Sequence, residues 1–444
     1  MTETVTDPKN TSTGFNRRQF MKSSAIMAPA VLAIGPRAFA SDDSTLKFGL
    51  IGCGGRGTGA ANQALRADKN NVLWAVADAF EDRIGGAMGL LRAEGEKLKA
   101  KHNSNQIQVT PERQFSGFDA YQKLIDSGVD VVLLATPPYF RPEQLRAAID
   151  AGKHVFSEKP MAVDGPGVRS VMESAKIAKE KNLSLVAGFC WRFKENDRQF
   201  VKRLHDGIIG DIRAVYTDYL TGILNTHPRK EGWTDMEFQL RNWQHFNWLS
   251  GDHIAEQAVH SIDKINWFMN DVAPVKAISV GGRQSRADVP RTGDVFDHFG
   301  VIFEYADGAR GFHLARQSAN CFGRNTDYIM GSKGIADVNS WGPKHVVTGE
   351  NNWTGKRRHM NGMYQQEHDE LFAAIRKGEP INDGAWMAQS TLMAIMARMS
   401  AYTGKDVSFE AALNSKEVLG PKVVALNGEA PRIATAIPGQ TKFA

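Results

Sequence analysis

Three groups of residues could do chemistry together. The first is Gly52-Cys53-Gly54-Gly55-Arg56-Gly57, whose G-x-G-x-x-G spacing leaves backbone N–H groups free to meet phosphate oxygens. The second is Glu158-Lys159-Pro160, in which the lysine could be a structural ion-pair partner or, beside a nicotinamide, the group that holds a substrate hydroxyl. The third is the segment 251–267: if it is one helix, His253, Glu256, His260 and Asp263 fall at i, i+3, i+7 and i+10 and share a face. A polar stripe turned inward is costly unless it is used. A solvated charged face is one alternative and a metal site another; His-x-x-Glu-x-x-x-His is not a zinc-protease spacing, and no metal is expected.

The elements that must position these groups alternate strand and helix. The apolar run Leu46–Ile51 leads into the glycine loop, a helix follows through Ala60, Ala64 and Leu65, and a second run, 72–77, ends in Asp78, 21 residues past Gly57. That context is what a dinucleotide fingerprint requires, whereas the glycines alone would fit a turn in some other α/β fold. Gly52 permits the tight turn, Gly54 lets the backbone approach a pyrophosphate, and Gly57 lets helix and strand pack closely. Asp78 would accept hydrogen bonds from ribose hydroxyls and repel a 2′-phosphate, so NAD is expected rather than NADP. Gly55 and Arg56 in the loop, Thr136 and Pro137 after the run Val129–Ala135, and Glu158 and Lys159 after His154–Phe156 complete the expected cofactor contacts. Each stands at the end of a strand, where open α/β sheets bind ligands.

Composition bounds the rest. The chain has 444 residues, 42% hydrophobic and 23% charged, which fits a globular protein of two substantial domains plus an extra segment. Cys53, Cys190 and Cys321 are odd in number and dispersed, which argues against a disulfide framework. The net charge is +5, but residues 1–40 hold five basic against two acidic side chains, and no basic stripe is left to suggest a nucleic-acid partner. Asn16-Arg17-Arg18-Gln19-Phe20-Met21-Lys22, a short apolar run 25–34 and Ala38-Phe39-Ala40 read as a twin-arginine signal over residues 1–40. The expectation is delivery to the periplasm by the twin-arginine export machinery, in folded form and with cofactor already acquired. The run is too short, and broken by Pro29, to be a stable membrane anchor.

With the glycine fingerprint, Asp78, Ala-Thr-Pro-Pro at 135–138, Ala-Gly-Lys-His-Val at 151–155 and Glu158-Lys159-Pro160, the chain resembles the glucose–fructose oxidoreductase, inositol dehydrogenase and rhizopine-catabolism (Gfo/Idh/MocA) family from about Leu46 to Thr403. The resemblance implies an α/β fold: an N-terminal Rossmann domain, 45–189, and a C-terminal α/β domain, 190–444, with an open, mostly antiparallel sheet often used for homodimer or homotetramer contacts. It implies oxidation of a secondary hydroxyl of a sugar, glycoside or polyol by hydride transfer to the nicotinamide. Lys159 would bind and orient the alcohol. His260 would take its proton, and Glu256, which stands where relatives have Asp, would orient the imidazole or contact substrate. Asp263 would bind a sugar hydroxyl or cap the network. Arg141 stands where relatives often have histidine, and Arg192 where they place an arginine near the cleft; a domain-hinge ion pair is the other reading of Arg192.

Runs at Ile212–Leu220, Val275–Val280, Val295–Tyr305, Ala309–Ala315 and Thr326–Met330 predict a sheet of five or six strands, closed by helices at Glu367–Lys377 and Ala385–Thr403. The aromatic-rich stretch 224–249, with Trp233, Phe238, Trp243, Phe246 and Trp248, could hold sugar rings or be ordinary core. Free NAD is expected to be scarce outside the cytoplasm, so a tightly bound cofactor is expected. Two further activities stay open: glycoside cleavage through transient oxidation and elimination, and a cofactor-binding sensor without turnover.

Overall fold

The computed structural model describes residues 44–286, 293–342, 345–355 and 362–442. The expected export signal, residues 1–40, lies outside the described residues. The first sheet has six parallel strands: β1 (Leu46–Ile51), β2 (Asn71–Asp78), β3 (Gln114–Ser116), β4 (Val131–Leu134), β5 (His154–Ser157) and β6 (Leu185–Ala187). Their order is β3-β2-β1-β4-β5-β6, with every adjacent pair parallel. Val131–Leu134 is buried throughout, as an unbroken apolar run must be in a sheet covered on both faces. The order reverses between β1 and β4, and the crevice outside their carboxyl ends is where such a fold accepts a ligand.

Among the described residues the second sheet has nine strands rather than the expected five or six. They are β7 (Ile212–Thr221), β8 (Lys276–Gly282), β9 (His298–Glu304), β10 (Arg310–Gln317), β11 (Asp327–Gly331), β12 (Gly334–Val338), β13 (His345–Gly349), β14 (Trp353–Thr354) and β15 (Val407–Ser408). The order is β14-β13-β12-β11-β7-β10-β9-β8-β15, antiparallel except where β10 runs parallel to β7. The expected strands are the central ones. The extra ones lie at the two edges, and β14 and β15, at two residues each, are too short for a period-2 pattern to register.

One face of this sheet packs inward through Val215, Ala277, Phe303, Ile329 and Ala336. On the other, Ile278 pairs with Ile302, and Val280, Leu314, Met330 and Ile335 stand exposed.

The boundary expected at residue 190 is not a packing boundary. The helix Met363–Lys377 returns to the first sheet, where Leu371, Phe372 and Ile375 join the core of Phe48, Leu65 and Leu73. Phe372 meets Phe48 edge-on at 6.2 Å, and Arg376 Nε donates to Asp68 Oδ2 at 2.7 Å.

Candidate active site

The glycine loop has the shape its spacing requires. Gly52 adopts φ +97°, and a Cβ there would lie 2.6 Å from the Ala135 backbone. At Gly57 a Cβ would lie 1.9 Å from the Gly52 carbonyl oxygen, so helix Gly55–Ala67 sits directly on the strand. At Gly54 and Gly55, by contrast, a Cβ would meet nothing within 4 Å. The first pair is crowded by the protein itself and the second faces open space, the cradle a pyrophosphate would fill. That space is a cleft of about 400 Å³ lined by Gly52, Gly54, Gly55, Arg56, Gly57, Asp78, Thr136 and Pro137 among others. The Asp78 carboxylate accepts from Cys53 N at 2.7 Å and Phe80 N at 3.0 Å, which fixes it at the cleft wall. The residues present therefore fit a dinucleotide. Gly57→Ala should cost about 2 kcal/mol of stability and most of the affinity for dinucleotide, read by thermal melting with and without NAD.

Arg56, also on the cleft wall, is held by two carboxylates. Its Nε donates to Glu158 Oε1 and its Nη2 to Glu367 Oε1 at 2.9 Å, while the guanidinium covers Tyr364 at 4.7 Å. Glu158 thus anchors the glycine loop to the strand end that carries Lys159. Glu367, from the returning helix, is a partner that the sequence reading missed; its carboxyl is pushed well up by burial despite Arg56. Only its spacing on an amphipathic helix, among apolar residues, could have flagged it.

β4 and β5 are neighbours, with Leu134 opposite Ser157, and this places Thr136-Pro137 beside Glu158-Lys159. The Lys159–Pro160 peptide is cis. Lys159 Nζ donates to the carbonyl of Glu256, so the lysine reaches the second domain. Arg141 is buried below it and donates to the Pro160 carbonyl; burial pushes its pKa down to about 10. It braces the Glu-Lys-Pro turn rather than facing the cleft.

The expected single helix over 251–267 is two. His253–Glu256 and Val259–Phe268 are separated at Gln257, with φ −114° and ψ −56°. The break takes His253 off the shared face. Its Nδ1 faces Asp252 Oδ1 and the Phe296 carbonyl, both at 3.1 Å, and its ring packs on Phe299 inside the second domain. Asp263 is likewise occupied: it accepts from Arg192 Nε at 3.0 Å, Arg192 Nη2 at 2.9 Å and Ser390 Oγ at 2.7 Å. Arg192 also holds Asp271 and lies over Trp386 at 4.0 Å. Arg192 and Asp263 are both buried in this ion pair.

What remains together is Lys159, Glu256 and His260. Glu256 and His260 are buried, and Glu256 Oε2 and His260 Nδ1 have no hydrogen-bond partner. No hydrogen bond joins Glu256 to His260; the imidazole is positioned instead by stacking on Trp191 at 5.5 Å and by the edge of Phe189 at 6.1 Å. Burial, then Lys159, Lys264 and Arg56, hold His260 well below the usual histidine pKa, which keeps it neutral. Two buried polar atoms without partners, near an ammonium group, are groups that a polar ligand would complete. No group of three or more His, Cys, Asp or Glu side chains among the described residues could hold a metal.

Of the aromatic residues in the stretch 224–249, Phe238, Phe246 and Trp248 are buried core. Phe238, Leu240, Phe246, Trp248 and Leu249 form their own small core with Met236, against Phe80, Phe118, Tyr139 and Phe140 of the first domain.

Comparison with known proteins agrees with this geometry. Residues 46–189 match the family profile described as oxidoreductase family, NAD-binding Rossmann fold, and residues 198–337 match the GFO/IDH/MocA C-terminal domain. The chain is 24% identical to myo-inositol 2-dehydrogenase of Thermotoga maritima over 84% of this chain and 100% of that enzyme. It is 25% identical to 2,7-anhydro-N-acetylneuraminate hydratase of Escherichia coli over 46% of this chain, and there it spans only 50% of the relative's length. Among solved structures, aldose-aldose oxidoreductase from Caulobacter crescentus has a TM-score of 0.64 at 21% identity, covering 82% of this chain and 99% of that one. Levoglucosan dehydrogenase in complex with NADH and levoglucosan has a TM-score of 0.63 at 20% identity, covering 82% and 100%. At these identities the structural likeness speaks for the fold.

Proposed function

Because the chain belongs to the Gfo/Idh/MocA oxidoreductase family, with its NAD-binding Rossmann fold, we propose that it oxidises a secondary hydroxyl of a sugar, glycoside or polyol using a tightly held NAD. The observation that carries this reading is the convergence of Lys159 with two unpartnered buried acceptors, His260 Nδ1 and Glu256 Oε2, beside the strand ends of a glycine-lined cleft. Bound NAD would supply a two-electron acceptor for the carbinol C–H. Thr136, Pro137, the glycine loop and Asp78 would hold it, and Asp78 favours a free 2′-hydroxyl over a 2′-phosphate. Lys159 Nζ would hold the substrate oxygen and favour the developing alkoxide, while neutral His260 takes the hydroxyl proton. Glu256 would accept from a second hydroxyl.

The Tat-type leader supports a periplasmic site of action, reached by a protein that folded around its cofactor in the cytoplasm. The test is the protein as purified from the periplasm. One equivalent of NAD per chain and a keto-sugar product are expected; a cofactor-free chain that binds NAD only weakly sinks the reading. The hydratase relative supports a second course, transient oxidation followed by elimination and return of the electrons, and aglycone release from glycosides without a keto product would select it. If Lys159→Ala and His260→Ala leave the biological role intact, the protein is a sensor.

The exposed apolar face of the nine-stranded sheet supports a homodimer or homotetramer. Val280 is 72% exposed and Leu314 43%, on a face shared with Ile302. Sedimentation should give a dimer or larger, and Val280→Asp with Ile302→Lys should yield monomers.

A further inference from the structure

The dinucleotide cleft has a second wall that no Rossmann unit supplies. Besides Asp78, Phe80 and Arg83, it is lined by His227, Leu240, Arg241 and Trp243 from the stretch between β7 and the His253 helix. That stretch is clasped onto the first domain at the Asp78 end. Arg241 donates to both oxygens of Asp82 at 3.0 and 3.1 Å, lies over the Phe80 ring at 4.0 Å, and is held from behind by Glu237 at 2.8 Å. Arg83 approaches His227 at 3.4 Å. Asn242 fixes the loop by a reciprocal pair, accepting from His227 N at 2.6 Å and donating to His227 O at 3.1 Å. The outer side is covered by the C-terminal segment: Gln239 donates to Pro431 O at 3.0 Å, and Leu419, Val424 and Ile433 pack on the small core.

We propose that residues 225–244 form the second half of the adenosine site, and that Arg241 is the latch that keeps NAD from exchanging with solvent. The proposal rests on the NAD reading above. An open Rossmann cleft releases a dinucleotide by the route through which it entered. Here the Asp78 end of the cleft is walled on both sides, by an aromatic ring on each and by an ion pair across the mouth. Trp243 offers an apolar face for the adenine, and Arg241 on Phe80 closes the gap beyond it. Release then requires the latch to open first, and a cofactor reduced in place must pass its hydride to the carbonyl carbon of a second substrate, whose oxygen takes up the proton, in the same site.

The experiment loads the full-length protein with 1,N6-etheno-NAD and follows fluorescence as excess NAD displaces it. Slow release is expected from the wild type. Arg241→Ala and Trp243→Ala should release about tenfold faster, equivalent to ~1.4 kcal/mol of lost hold, and Arg241→Lys should fall between. Melting curves without cofactor establish that each variant folds; if Arg241→Ala does not, Asp82→Asn and Trp243→Ala carry the comparison. Release within twofold of wild type from folded variants overturns the latch while leaving NAD binding intact. A wild type that holds no NAD as purified and takes up neither etheno-NAD nor NAD overturns the cofactor reading and the latch together.

Discussion

His260→Ala should lower kcat by about 10³-fold on any substrate the protein turns over, the scale on which a positioned general base contributes. The variant should still fold and bind dinucleotide, because His260 belongs to neither the glycine loop nor the Arg192 network. The pH profile gives a finer test. The competent form of the base is neutral imidazole, and the surroundings of His260 hold its pKa below the ordinary value of about 6.5. The acid limb of kcat/KM should therefore lie below the pH at which a free imidazole titrates. Lys159 is one of the charges that depress it, so Lys159→Met should move that limb upward in pH while lowering kcat. A limb that stays fixed in Lys159→Met would show that His260 is not the group being titrated.

Arg192→Ala should destabilise the protein by about 3 kcal/mol or more, among the largest losses that a single polar truncation can cause. Asp263 is buried and would lose both guanidinium hydrogen bonds, keeping only Ser390. Burial already holds the Asp263 carboxyl above its usual pKa with Arg192 present, so without the arginine it would be strained further toward the protonated form. Thermal or urea unfolding measures the loss. If Arg192 instead bound substrate, Arg192→Ala would raise KM with little change in melting temperature.

Legibility in the sequence followed the range of the interactions. The glycine loop, Asp78 and the Glu-Lys-Pro turn were readable because each is a local backbone requirement expressed at fixed spacing. The pairing of Arg192 with Asp263 joins positions 71 apart, and nothing along the chain distinguishes a paired aspartate from one that waits for a sugar. The helix break at Gln257 was hidden for a related reason: His253 is drawn away by Phe296, a residue 43 positions later. The aromatic stretch was visible as a cluster but not its burial partners, Phe80 and Phe118, which come from far upstream. Periodicity tells that a face is apolar; only tertiary contact tells what covers it.

The return of helix Met363–Lys377 to the first sheet bears on how the chain is made. A ribosome releases the six strands of that sheet long before it reaches Phe372, so the sheet must wait, with Phe48 and Leu65 uncovered, while nearly two hundred further residues are synthesised. A fragment ending at residue 189 lacks that cover and should aggregate rather than fold. Grafting this Rossmann unit onto another protein would require residues 363–377 to travel with it.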